Sequence, residues 1–147
     1  MSQKITPFLW FDKEAHEAME FYTSIFPNSK ITGKYPTGGT FEIEGQQFMT
    51  LNGGPQFHFT EAISLYVNCK TQAEVDELWD KLTADGGSAS RCGWLKDKFG
   101  LSWQIIPTKL WELMRDPDPE KSQRVVHAML QMSKIDIAGL QKAYDGE

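Results

Sequence analysis

Leu9-Trp10-Phe11, followed by Glu17-Ala18-Met19-Glu20-Phe21-Tyr22, and Leu65-Tyr66-Val67, followed by Glu74-Val75-Asp76-Glu77-Leu78-Trp79, are two renderings of one pattern. In each, a short apolar strand feeds an amphipathic helix, and Gly-punctuated, strand-like segments come after. The unit is too long for a solenoid repeat and occurs only twice, which predicts a duplicated α+β fold. Two such halves can curl into a mixed sheet around a shared cleft, and the cleft is where function is expected.

Working outward from the first copy, residues 5–11 read as a strand with Asp12 as the N-cap of the next helix. Ala15, Ala18, Met19, Tyr22, Ile25 and Phe26 then recur at three- and four-residue spacing and form one apolar stripe. Pro27-Asn28 ends that helix. Strand-like segments follow at 30–34, 40–43 and 46–51, with a turn at Pro36-Thr37-Gly38-Gly39 and a two-residue hairpin at Glu44-Gly45. Asn52-Gly53-Gly54-Pro55 marks the crossing between the halves.

In the second copy residues 63–67 are the leading strand, and Thr71-Gln72-Ala73-Glu74 is a capping box. Val75, Leu78, Trp79 and Leu82 give the buried stripe of that helix, and Gly86-Gly87 a left-handed stop. Strands at 88–91, 94–97 and 101–106 complete it, the last ended by Pro107. From Thr108 the chain reads as helical. Asp118-Pro119 is an N-cap with proline at the first helical position. Val125, Val126, Met129 and Met132 lie near one face, and 135–144 reads as a last short helix. The expected organisation is one domain over 1–147, with modules at about 4–54 and about 60–107 and a helical tail at 108–147.

Composition narrows the function. A net charge of −5 over 147 residues disfavours nucleic acid and anionic membrane as partners, since both demand basic patches. Met1-Ser2-Gln3-Lys4 shows no apolar signal region, and no apolar run is long enough to span a bilayer. Cys69 and Cys92 are isolated, which fits reduced thiols and a cytoplasmic location.

Strand alternation assigns faces, because every second residue of a half-covered sheet turns towards the helices. Ile63, Leu65 and Val67 suit the helix side, leaving Ala62, Ser64 and Tyr66 facing inward. Leu9 and Phe11 likewise leave Thr6, Phe8 and Trp10, and Trp103 and Ile105 leave Ser102, Gln104 and Ile106. The resulting pocket is aromatic with a few neutral hydrogen-bonding groups and suits a small, partly apolar ligand. The same rings could instead fill the cup as core, since aromatics dominate cores.

Ionisable candidates are few. His58, in Gln56-Phe57-His58-Phe59, sits at the expected cleft rim and is the candidate acid or base, although spacing supplies it no carboxylate partner. His16 reads as a solvated partner of Glu20 four residues on, and His127 as a tail-helix residue. Cys92, near Arg91 and Lys96, reads as a buried structural thiol rather than a nucleophile. Asp97-Lys98-Phe99-Gly100 turns the chain into the last strand.

Four stretches carry a family resemblance: Ile5-Thr6-Pro7-Phe8-Leu9; Phe21-Tyr22 with Phe26-Pro27-Asn28-Ser29; Leu51-Asn52-Gly53-Gly54-Pro55; and Cys92-Gly93-Trp94-Leu95-Lys96-Asp97-Lys98-Phe99-Gly100-Leu101-Ser102-Trp103-Gln104. With the order strand, helix, three strands given twice, the chain resembles the vicinal-oxygen-chelate superfamily of glyoxalase, bleomycin-resistance and dioxygenase proteins. Within it the chain is most similar to the PhnB-like group, some of whose members are called 3-demethylubiquinone-9 3-methyltransferases. The resemblance implies paired βαβββ modules, a homodimer and a metal position supplied by four strands. Those positions fall here at Thr6, Thr50, Ala62 and Gln104, of which Gln104 alone could ligate, so no metal is expected. No cofactor is expected either, because a doubly wound cofactor domain needs a Gly-rich turn after its first strand and none is present. The expected ligand-binding set is Thr6, Phe8, Trp10, Thr50, Ser64, Tyr66, Ser102 and Gln104. Trp111, Met114, Met129 and Met132 offer surface for the dimer contact. Two functions remain open: a metal-independent protein that sequesters a small aromatic compound, and an enzyme acting on one, including the methyl transfer in the family label.

Overall fold

The computed structural model describes residues 3–147; Met1 and Ser2, half of the stretch read above for an apolar signal region, lie outside the described residues. The chain divides into two compact units, a first ending at Phe59 and a second spanning Thr60–Glu147.

The first unit is built from β1 (Phe8–Phe11), α1 (Ala15–Ile25), β2 (Ser29–Tyr35), β3 (Gly38–Ile43) and β4 (Gln46–Asn52). Its sheet runs β1-β4-β3-β2, with β1 parallel to β4 and the other pairs antiparallel. The stripe read from the sequence is the buried face of α1: Ala15, Ala18, Met19, Tyr22 and Ile25 are all covered. They pack on the sheet side that carries Leu9, Phe11, Phe41, Ile43 and Phe48, with the Phe41 ring stacked on Phe48 at 4.9 Å.

Three local expectations are corrected here. The strand is shorter than 5–11, because Pro7 has no amide proton to place in a ladder and contributes only its carbonyl, to Met49 N at 3.0 Å. Asp12 is not the cap of α1. The N-cap is Glu14, without a side-chain bond, and the free amide of Ala15 is met by Asn52 Oδ1 at 2.8 Å, from the end of β4. The Glu44-Gly45 hairpin is as expected, with φ of 48° and 84° at its two residues and Ile43 paired to Gln46. The preceding turn is only Pro36-Thr37; Gly38 and Gly39 already belong to β3.

The second unit repeats the order with β5 (Ser64–Cys69), α2 (Gln72–Thr83), β6 (Ser88–Ala89), β7 (Trp94–Lys96) and β8 (Ser102–Pro107), in the sheet order β5-β8-β7-β6. The capping box forms: Thr71 Oγ1 accepts from Glu74 N at 3.1 Å, and Glu74 Oε1 accepts from Lys70 N at 2.8 Å. Val75, Leu78, Trp79 and Leu82 are the buried face of α2. That helix stops at Thr83, before the glycines, and a short 3-10 turn over Ala84–Gly86 follows, with Asp85 itself left-handed at φ 56°. Ile63 does not face the helix: it precedes β5 and is 60% exposed, so the covered residue that completes that face is Cys69.

Three helices follow: α3 (Thr108–Met114), α4 (Pro119–Leu130) and α5 (Ile137–Asp145). Asp118 caps α4 through Glu120 N at 3.0 Å, with Pro119 at the first position. Ile106 of β8 joins Leu110, Leu113, Val125, Ile135 and Leu140 in one apolar cluster, so the tail is docked on the second unit rather than loose. Of the stripe read on α4, Val125 is fully buried, while Met129 and Met132 pack partly covered at its margin. Polar clasps reinforce the docking. Gln72 donates to Ile135 O at 3.0 Å and accepts from Ile137 N at 2.8 Å, and Lys134 pairs with Asp76 at 2.9 Å.

The architecture is therefore α+β, two four-stranded mixed sheets each with its helix, followed by C-terminal helices. Among the described residues no helix is long and apolar enough to cross a membrane.

Candidate functional site

In the second unit, register sorts the side chains of the sheet into two sets. Ser64 lies opposite Ser102 and Tyr66 opposite Gln104 across the parallel β5–β8 pair, and Lys96 lies opposite Ser102 from β7. All five share the face away from the buried set Leu95, Trp103 and Ile105, which packs beneath α2. Four residues expected at the site are thus brought together. Gln104 Nε2 donates to Ser64 Oγ at 2.9 Å. Tyr66 is 40% exposed, and its hydroxyl oxygen accepts the indole N–H of Trp111 on α3. Ser102 is 1% exposed, and its Oγ has no hydrogen-bond partner. A buried hydroxyl left so costs free energy that a paired one does not, and native structures rarely tolerate it without reason.

The charges nearby are internally matched. Lys96 Nζ lies 3.3 Å from Glu61 Oε1. The Glu61 carboxyl is held below its usual range, first by a backbone hydrogen bond and then by Lys96. On the helix side the Asp97 carboxylate is buried and fully used, accepting from Phe99 N at 2.9 Å, Leu101 N at 3.1 Å and Trp103 Nε1 at 2.9 Å. Burial pushes the Cys69 thiol up to about 12, so it is not a nucleophile near neutral pH. Cys92 is half-buried, its amide tied to Met132 O at 2.8 Å.

In the first unit, Phe8 and Trp10 share a face with Met49 and Leu51, their partners on β4. Phe8 and Met49 are exposed, so this face is apolar and open. Trp10 is committed: its Nε1 donates to Gly54 O at 2.9 Å, and its ring meets Phe57 edge-on at 4.9 Å. Gly53 passes so close beneath that a Cβ there would lie 2.3 Å from the indole, which is why the Asn52-Gly53-Gly54 tract needs glycine. Thr50 does not share this face. It pairs with Leu9, is buried under α1, and donates to Gly39 O at 3.1 Å beside Met19 Sδ. Thr6 precedes β1, with its hydroxyl 3.5 Å from Gln3 O.

The histidines divide differently from the expectation. His58 is exposed, and no hydrogen bond to its ring is found among the described residues. His16 attracts the Glu20 carboxylate only weakly and makes no direct bond to it among the described contacts. Its Nε2 lies 2.6 Å from Tyr35 O and 2.9 Å from Gly38 O, which holds the β2–β3 turn, and Glu20 pairs instead with Lys34 at 2.8 Å. His127 lines an open groove of about 760 Å³ with Arg124, Leu130 and Ala143. That groove shares no residue with the β5–β8 face, and its guanidinium is already spent on Ala143 O and Tyr144 O.

Of the four positions read as metal-bearing from the family resemblance, Thr50 is turned under α1, Ala62 has no side-chain donor, and the Gln104 amide is bonded to Ser64. Among the described residues no group of three or more His, Cys, Asp or Glu side chains is gathered to hold a metal ion. A methyl-donor cofactor of the doubly wound kind does not fit either. The turn after β1 is Asp12-Lys13-Glu14 and the one after β5 is Lys70-Thr71, neither with the glycine such a turn requires.

One contact of this face was not read from the sequence. Trp111, expected there as surface for a dimer contact, is brought by the path of α3 to Tyr66, 45 residues earlier. Its signal in the sequence was an aromatic four residues beyond the proline that ends β8.

Comparison with known proteins agrees with this architecture. The family described as 3-demethylubiquinone-9 3-methyltransferase matches residues 3–106. A PhnB protein from Bacillus cereus, provisionally given the same methyltransferase name, is 40% identical, with a TM-score of 0.65 over 71% of this chain and 99% of that one. A Pseudomonas aeruginosa protein is 20% identical, with a TM-score of 0.57 over 72% and 98% of the two chains. A glyoxalase-related enzyme from Fulvimarina pelagi is 17% identical, with a TM-score of 0.52 over 71% and 88%. These last two share the fold alone. No curated protein matches the chain.

Proposed function

The chain belongs to the 3-demethylubiquinone-9 3-methyltransferase family, the PhnB-like group of the glyoxalase and bleomycin-resistance superfamily, and from that premise we propose that it is a metal-independent protein that binds a small, partly aromatic organic compound. The observation that carries this reading is the neutral polar row Ser64, Tyr66, Ser102 and Gln104 on one face of the second sheet, exposed at Tyr66 and with the buried Ser102 hydroxyl unpaired. Neutral donors and acceptors set among rings orient an uncharged ligand without the desolvation penalty of a buried charge. The exposed apolar face of Phe8, Trp10 and Met49 on the first unit suits ring contacts of the same kind. The proposal includes a homodimer and a cytoplasmic setting.

An enzymatic reading, including methyl transfer, is supported by the family description. His58 is then the candidate acid or base, an exposed imidazole on the segment after Gly54. No carboxylate among the described residues bonds it, and the binding reading is therefore the one we favour.

The test is direct. Native mass spectrometry of the purified protein identifies any small molecule that travels with it, and calorimetry compares its affinity for wild type and Gln104→Leu. Weaker binding by a variant with an unchanged melting curve supports the site; equal affinity places the ligand elsewhere.

A further inference from the structure

We infer that the C-terminal helical segment is part of the ligand site, with Trp111 as the residue that positions the Tyr66 hydroxyl, and that the ligand is a neutral planar ring bearing a carbonyl group. This deepens the binding reading above and rests on it. The family match stops at residue 106, so α3, α4 and α5 lie outside what that relationship explains. Yet these helices are fixed to the second unit, through the cluster around Ile106 and through the Gln72 and Lys134 clasps. A docked segment whose aromatic reaches the one tyrosine of the polar row does more than cover apolar surface.

The hydrogen-bond accounting selects the ligand. Trp111 Nε1 can only donate, and it donates to the Tyr66 oxygen. The phenol therefore keeps its own proton, which no described residue accepts, and the indole, occupying one lone pair of the oxygen, turns that proton away from itself. Gln104 spends its amide N–H on Ser64 and retains its carbonyl oxygen on the same face. The unpaired Ser102 hydroxyl beside them is independent evidence that the row lacks a partner. Lys96, the cation that register places on this face, is already paired with Glu61, so the row itself is neutral. Tyr66 and Trp111 are 40% and 42% exposed, which leaves ring surface for a planar molecule to stack on. A carbonyl takes the Tyr66 proton, and a donor on the ligand meets the Gln104 oxygen. A primary aromatic amide is the simplest compound with all three features.

Benzamide is accordingly the probe, with cyclohexanecarboxamide as the non-planar control. Each is titrated into ¹⁵N-labelled wild type, Trp111→Phe, Trp111→Ala and Tyr66→Phe, following the backbone amides of Ser64, Tyr66 and Gln104. Benzamide is expected to shift these amides and to bind more tightly than the control. Trp111→Phe keeps a ring but no donor, and should weaken benzamide about three- to tenfold, the worth of one neutral hydrogen bond. Trp111→Ala should weaken it further. Because the indole acts through the hydroxyl, adding Trp111→Phe to Tyr66→Phe should change little. A purely packing role for Trp111 would give additive losses instead and overturn the positioning role. If these amides shift in wild type but both Trp111 variants bind equally well, the tail is not part of the site, while the binding reading stands. A benzamide footprint elsewhere, or none, overturns both. Should Trp111→Ala fail to fold, Trp111→Phe decides alone.

Discussion

Asp97 shows how one residue can be conspicuous in sequence without being chemical. Its carboxylate is 2% exposed and takes three donors, two from the turn it opens and one from Trp103. That set explains why an acidic residue sits beneath a helix in an apolar layer: a buried charge is tolerated when its lone pairs are filled. Asp97→Asn replaces one acceptor by an amide N–H aimed at a donor. It should cost about 1–3 kcal/mol in urea denaturation, and a loss under a few tenths would mean the bonds are dispensable. Ser102 is the converse case, an acceptor and donor with nothing to do. Ser102→Ala removes that unpaired hydroxyl and should leave stability unchanged or slightly raised while weakening ligand binding, as calorimetry and a melting curve can show together.

At the scale of elements, stability is concentrated where helix stripes meet sheets and where caps close helix ends. Leu78→Ala on α2 should cost about 2–5 kcal/mol in denaturation experiments, since the side chain is buried in the face that packs on the second sheet. Thr71→Ala, which removes the cap of α2, should cost about 1 kcal/mol. The tail helices carry a pH-sensitive clasp. Tyr144 donates to Asp116, and that bond, before any other cause, holds the Asp116 carboxyl below its usual value. A depressed carboxyl contributes stability above its unfolded pKa and loses it as pH falls through the folded one. The clasp should therefore weaken on acidification below about pH 4, and Tyr144→Phe should move the Asp116 titration, followed by carbon NMR, upward.

For the whole molecule, elemental analysis should find no stoichiometric divalent metal, because Thr6, Thr50, Ala62 and Gln104 offer no ligand set. About one zinc, nickel, iron or manganese per chain would overturn that reading. Much of this was legible in the residues alone. Periods of 3.6 and 2 reflect which side of an element is dry, and so the stripes of α1 and α2 and the shared face of Ser64, Tyr66, Ser102 and Gln104 could be read without coordinates. The capping box at Thr71 and the Glu44-Gly45 turn were equally local, since the groups that bond lie within a few residues. Other features depended on partners remote in sequence. Thr50 went under α1 because β4 pairs with β1 in a register that sets it beside Leu9, and register is a property of two strands. The amide of Ala15 found its acceptor on Asn52, 37 residues away, so the helix is not capped by the neighbouring Asp12. Trp111 reached Tyr66 only because the tail folds back on its own sheet. The sequence by itself determined the elements and their dry faces, because periodicity and capping act over one or two turns. The tertiary structure alone decided which polar groups meet, because that depends on how separate elements pack.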